Sequence, residues 1–251
     1  NVMDPRSPSP LATMCVDAAV QAQIGQTDDF NGPRQEGAGL YQLTQKDGQR
    51  HSAWHAYLQG VERPNLRVIT GARATRVRIA EGRGTGIDFG RDGQSGDEGI
   101  AATREVLLSG GAVHSPQLLM LSGIGPADHL KDVGIDPVID SPGVGKNLQD
   151  HLGVFVHYTR PEGGWFRDLM RFDRIALAML QAYFFKGGPA TVLPGGLHGF
   201  IKSRPELAVP DIQFLFRGTS PGAHMWFPGI KKPFTDGFGM RPVLLHPESR
   251  G

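Results

Sequence analysis

A chain of 251 residues with 39% apolar and 20% charged side chains is long enough to bury a core and too apolar to be disordered. Its 26 basic and 25 acidic side chains leave a net charge of +1, which excludes the field that would recruit nucleic acid. The lone cysteine, Cys15, excludes an internal disulfide and fits a reducing, cytoplasmic setting. No activating neighbour accompanies it in sequence, so a buried structural thiol is the expected role.

In chain order, Ser9 to Gly25 has helical apolar spacing through Leu11, Met14, Cys15, Ala18 and Ala22. Phe30 to Gly48 is Gly-rich and irregular, and His51 to Leu58 predicts a short helix. Alternation then predicts an antiparallel meander: Leu66 to Thr70, Arg76 to Ile79, a turn at Glu81–Gly84, and Gly86 to Phe89, followed by a polar turn over Arg91–Gly99. The arginines in this stretch alternate with apolar residues and read as the wet face of the strands. Glu105 to Leu108 lacks alternation, as a strand covered on both faces would. Ser115 is placed to cap a helix, with Pro116 at its first position and Gly123 past its end. A second short helix spans Pro126 to Val133, and Ser141 to Asp150 is a loop. His151 to Arg160 predicts a strand, Trp165 to Lys186 the longest helix, and Gly199–Lys202, Asp211–Phe216 and Pro242–His246 short strands. The texture changes near Gly153, where a domain boundary is placed.

No leader is legible in Asn1-Val-Met-Asp-Pro5, and the absence of a starting methionine suggests an internal piece of a longer protein. The longest apolar run, Ile175–Phe185, is interrupted by Gln181 and falls short of the roughly 20 residues a membrane span needs. No transmembrane segment is therefore expected. The stripe on Trp165–Lys186 is ordinarily a core face, with peripheral membrane contact as the other reading.

The element with chemical potential is Val106-Leu-Leu-Ser-Gly-Gly-Ala-Val-His-Ser-Pro-Gln-Leu118: a strand, a glycine turn and a helix start. Glycine lets a ligand approach the backbone, and the free N–H groups of a first helical turn favour an anion such as a nucleotide phosphate. Many α/β proteins use the same element only for packing, so both readings stand on this element alone.

Extended to Gly125, the segment Gly111-Ala-Val-His-Ser-Pro-Gln-Leu-Leu-Met-Leu-Ser-Gly-Ile-Gly125 resembles the second signature of the glucose–methanol–choline (GMC) oxidoreductases at every constrained position. Phe30-Asn-Gly32, Gln35-Glu-Gly37 and Ala56-Tyr-Leu58 are similar to the family's stretch before the sheet. Asn65–Val77, Pro142–Gly145 with Asn147–His151, and Leu245–Gly251 continue the likeness, nearest to the choline-dehydrogenase-like branch.

The resemblance implies an α/β fold with α+β elements. Residues 1–152 would be part of a Rossmann-like FAD-binding domain, and residues 153–251 part of an antiparallel-sheet substrate-binding domain. It implies an FAD-dependent enzyme that oxidises a primary alcohol to an aldehyde by hydride transfer to flavin, with a small-molecule alcohol as partner. Ala74 would offer its backbone to the adenine. Gly110, Gly111 and Ala112 would line the nucleotide, Ser115 would cap the helix beside it, and Asn147 to His151 would pass near the flavin. For His151 a structural hydrogen bond is an equal reading.

Two family features have no counterpart here. The glycines of Gly82–Gly86, Gly123–Gly125 and Gly143–Gly145 lack the GxGxxG spacing that binds a dinucleotide pyrophosphate. No residue matches the family's catalytic His or its second His or Asn, expected beyond Gly251. These absences motivate the alternative of a non-catalytic remnant or binding module of the same fold, inactive as given. A nicotinamide-dependent dehydrogenase lacks both its glycine fingerprint and its acidic partner. His51 and His55 have helical spacing without a third metal ligand, so no metal site is expected. His114 receives no role, and neither a GxSxG elbow nor a Walker A sequence occurs.

Overall fold

The computed structural model describes residues 1–91, 97–192 and 194–251. They form two compact units, Asn1–Val61 with His151–Pro247 and Glu62–Asp150 with Glu248–Gly251. The division is thus discontinuous: the first 61 residues form one unit with the later segment.

Helix α1 spans Pro10–Gln21, with the Ser9 hydroxyl accepting the Ala12 N–H at 3.2 Å. It stops short of Gly25 because Gln23 already takes a left-handed conformation at φ 64°. The stretch expected to be irregular contains strand β1 (Gly37–Leu40) and a small hairpin of β2 (Gln45–Lys46) and β3 (Gln49–Arg50). Helix α2 follows at Ala53–Tyr57.

The unit Glu62–Asp150 opens with a three-stranded antiparallel meander, β4 (Ala72–Ala80), β5 (Arg83–Arg91) and β6 (Asp97–Ala101). The expected strand at Leu66–Thr70 is not one; the third member is β6, which takes up Asp97–Gly99 of the expected Arg91–Gly99 turn by pairing them with β5, while residues 92–96 lie outside the described residues. Glu105–Leu108 pairs with no strand among the described residues, and Leu107 is 78% exposed. Helix α3 spans Gly111–Leu121, and α4 spans Ala127–Asp132 between the parallel pair β7 (Ile124–Gly125) and β8 (Ile139–Asp140). Leu130 of α4 is fully buried.

Beyond Asp150 the strand expected at His151–Arg160 is split into β9 (Leu152–Gly153) and β10 (Val156–Arg160). The single long helix is also broken, into α5 (Trp165–Leu169) and α6 (Phe172–Phe185). The break is a tertiary effect: Phe172 N–H donates to the Trp226 carbonyl at 2.9 Å and Trp226 N–H to the Met170 carbonyl at 3.2 Å, holding Arg171 extended. Strands β11 (Leu197–Ile201), β12 (Ile212–Arg217) and β13 (Asp236–Leu244) complete a six-stranded antiparallel sheet in the order β1-β11-β12-β13-β10, with β9 on β13. Helix α1 covers this sheet. Ala12, Val16, Ala38, Leu197 and Phe216 form its core, with Cys15 packed against them. Burial pushes the Cys15 thiol pKa up, which suits an inert, structural residue.

Candidate functional site

The signature segment serves two physical roles in the unit Glu62–Asp150. Its second half builds the frame. Strand β4 lies at the edge of the meander, so its outward N–H groups have no strand partner. Ser122, only 2% exposed, solves this for Val77: its hydroxyl accepts the Val77 N–H at 2.8 Å and donates to the Leu118 carbonyl at 2.6 Å. Gly123 turns the chain at φ +83°, where a Cβ would lie 2.7 Å from Val138 Cγ2 and 2.8 Å from the Asp136 carbonyl oxygen. Only glycine fits both the torsion and the space.

The first half faces open space. Gly111 has φ +82°, yet a Cβ built there meets nothing within 4 Å. The steric need at Gly111 is therefore set by its torsion, and the space in front of it is available to a ligand. Helix α3 starts at Gly111, with Gly110 as its N-cap, no capping side chain and no acidic residue in its first turn. Its leading N–H groups keep their full partial positive charge. Ser115 is consequently not the cap that its sequence context suggests; it stands within the helix, and Pro116 is accommodated inside it. Without an N–H at Pro116, the Ala112 carbonyl has no helical donor.

A cleft of about 650 Å³ opens between this helix and the meander. That volume lies in the range of small-molecule sites, roughly 300–1,000 Å³. Ala74 and Ile87 line the sheet side, the extended segment Leu107–Gly110 its floor, and Ser115, Leu118 and Leu121 the helix side. Apolar side chains suit a flat base, while Arg73, His114 and Gln117 add polar groups to the lining.

Three of the seven residues implied by the resemblance, Ala74, Gly110 and Ser115, thus share one cleft. Gly111 and Ala112 are the first two residues of α3 and adjoin the cleft without lining it. Asn147 belongs to the same unit but is exposed, in a left-handed conformation at φ 62°. His151 belongs to the other compact unit. Sequence reasoning gave none of Arg73, His114 and Gln117 a place here: Arg73 was read with the wet face of the strands, His114 received no role and Gln117 was not singled out. For His114 and Gln117 the available signal was their position beside Ser115 on the first turns of α3.

Elsewhere, the paired histidines have other partners: His51 Nδ1 lies 2.9 Å from the Asn1 amino group, and His55 Nδ1 lies 2.8 Å from the Ser52 hydroxyl. Among the described residues no three His, Cys, Asp or Glu side chains gather as a metal-binding group, and no helix is long and apolar enough to cross a membrane.

Comparison with known proteins extends this picture. Residues 2–153 match the model of a family described as GMC oxidoreductase. The chain is 40% identical over 256 residues to an alcohol dehydrogenase [acceptor] of Pseudomonas putida, covering all of this chain and 45% of that protein. It is 41% identical over 209 residues to an oxygen-dependent choline dehydrogenase of Sinorhizobium fredii, covering 83% of this chain and 38% of the relative. The chain therefore spans less than half the length of these curated relatives. Among solved structures, the fold is similar to an FAD-dependent oxidoreductase from Chaetomium thermophilum (TM-score 0.81, 18% identity, 100% of this chain and 49% of that one). It is also similar to pyridoxine 4-oxidase from Mesorbium loti (TM-score 0.71, 24% identity, 100% and 45%).

Proposed function

The chain belongs to the GMC oxidoreductase family, and from that premise we propose that the cleft beside α3 receives the adenosine end of FAD in an enzyme that oxidises a primary alcohol to an aldehyde. The observation that carries this reading is the convergence of Ala74, Gly110 and Ser115 on one cleft of suitable volume. Its apolar walls at Ile87, Leu118 and Leu121 fit an adenine ring, and the uncapped start of α3 fits the anionic part of a dinucleotide. When bound, FAD supplies the electron-pair acceptor for alcohol oxidation, while the protein supplies binding and orientation.

On this reading the unit Glu62–Asp150 holds part of the cofactor, with Gly111 and Ala112 giving it close backbone approach. The sheet of the other unit belongs to the substrate domain. Asn147 and His151 are proposed to serve the flavin side. The alcohol dehydrogenase and choline dehydrogenase names of the relatives support a small alcohol as substrate.

Titration of the chain with FAD, read by quenching of flavin fluorescence, tests the assignment. Gln117→Trp fills the cleft from an exposed position and is expected to weaken binding at least about tenfold by displacing the base. Val133→Trp, exposed and outside the cleft, is expected to bind as the parent does. FAD binding that both variants leave unchanged would place the nucleotide elsewhere.

A further inference from the structure

In the unit Asn1–Val61 with His151–Pro247, the segment that breaks the long helix also builds an apolar surface. Phe227 and Lys231 close a tight turn, with the Lys231 N–H donating to the Phe227 carbonyl at 3.0 Å and the Phe227 N–H donating to the Lys231 carbonyl at 3.2 Å. The turn holds Ile230 out at 85% exposure. Beside it, Phe172, Met225, Trp226, Phe227, Ile230 and Lys231 line a shallow, almost wholly apolar groove of about 480 Å³. Phe172 begins α6, and the apolar surface runs on along that helix. Its inward face is Ile175, Ala178 and Ala182, while Leu177, Leu180 and Phe184 point outward at 68%, 55% and 67% exposure. A helix apolar on both faces requires an apolar environment on its outer side as well.

Charge identifies the occupant. Residues 165–186 and 224–233 carry six basic and two acidic side chains, whereas the whole chain has a net charge of only +1. Both acids are already engaged, Asp168 with Arg174 at 3.6 Å and Asp173 with Arg171 at 2.6 Å. Lys231 and Lys232, exposed and directly after Ile230, make no ion pair among the described residues. An exposed apolar tip followed at once by two lysines matches a surface that is apolar within and negative at its face.

We propose that this face docks on an anionic lipid surface. Ile230 and the outer stripe of α6 enter the acyl boundary, and Lys231 and Lys232 meet the phosphate headgroups. The contact is monotopic: the turn and one helix face lie in the interface and nothing crosses it.

Sedimentation of the full chain with vesicles tests this. Phosphatidylcholine vesicles containing phosphatidylglycerol are expected to bind it at least about tenfold more tightly than pure phosphatidylcholine, with binding weakening as salt shortens the screening length. Lys231→Ala with Lys232→Ala is expected to lower the partition coefficient roughly 30-fold. Ile230→Ser is expected to lower it about tenfold while leaving the salt dependence intact. Both changes are on exposed side chains, and an unchanged thermal melt confirms folding. Absence of vesicle binding, equal binding to both lipids, or binding unaffected by either variant overturns the proposal. So does lipid-free dimerisation in analytical ultracentrifugation that Ile230→Ser abolishes, which would assign the face to a second copy.

Discussion

Replacing Ser122 by alanine isolates one hydrogen-bonded joint in the signature segment. In the parent, the Ser122 hydroxyl sits 2.8 Å from the Val77 nitrogen and 2.6 Å from the Leu118 carbonyl oxygen, at 2% residue exposure. The two ends of this bridge respond differently to its loss. Leu118 keeps the backbone donor of Ser122 itself at 3.1 Å, so its carbonyl stays satisfied. Val77 has no such reserve: it lies on an edge strand, is 6% exposed, and its N–H is left buried without an acceptor. An orphaned buried donor costs about 1–3 kcal/mol, so the expected loss is about 2 kcal/mol. Urea denaturation of the chain measures it, and amide exchange localises it. The Val77 amide should exchange roughly 30-fold faster in the variant, the same free energy expressed as a rate ratio. A loss below about 0.5 kcal/mol, or a Val77 amide whose exchange is unaltered, refutes the reasoning.

Two further predictions concern the six-stranded sheet. The Asp236 side chain is 5% exposed and paired with Arg160 at 3.2 Å. Arg160→Ala strands that carboxylate and should cost about 2–3 kcal/mol, less than a fully buried pair because the Arg160 side chain is 36% exposed; a chemical-denaturation midpoint equal to the parent's would count against it. His198 packs among Tyr41, Phe30 and Phe200, and burial lowers its pKa from the ordinary 6.5. The neutral ring is favoured by folding, so its stability contribution is full above that value and declines as pH falls below 6.5 toward the folded-state value, because the unfolded chain protonates first. His198→Gln should flatten this part of the stability–pH curve, and an identical slope in parent and variant would contradict the assignment.

The resemblance carried by Gly111–Gly125 was legible because a turn leading into a helix is a local device whose glycines, proline and serine lie close together along the chain. The hairpin of β4 and β5 was legible for the same reason, since the two are joined by a two-residue turn at Glu81 and Gly82, whereas the third strand, β6, was not. Other elements depended on distant partners. β1 forms because Gly37–Leu40 pairs with Leu197–Ile201, a match that no pattern within Phe30–Gly48 announces. The helix expected over Trp165–Lys186 is cut by hydrogen bonds to Trp226.

The site divides in the same way. By itself, the sequence determined the family likeness, because backbone-level requirements leave a motif in the contiguous residues Gly111–Gly125, and that resemblance in turn implied roles for Ala74, Gly110 and Ser115. Only the tertiary structure decided that these three share a cleft with Arg73, His114 and Gln117, that Gly110 and not Ser115 is the helix N-cap, and that residues 1–61 pack with the later sheet. Those outcomes follow from the packing of segments far apart along the chain, which periodicity over a few residues does not encode.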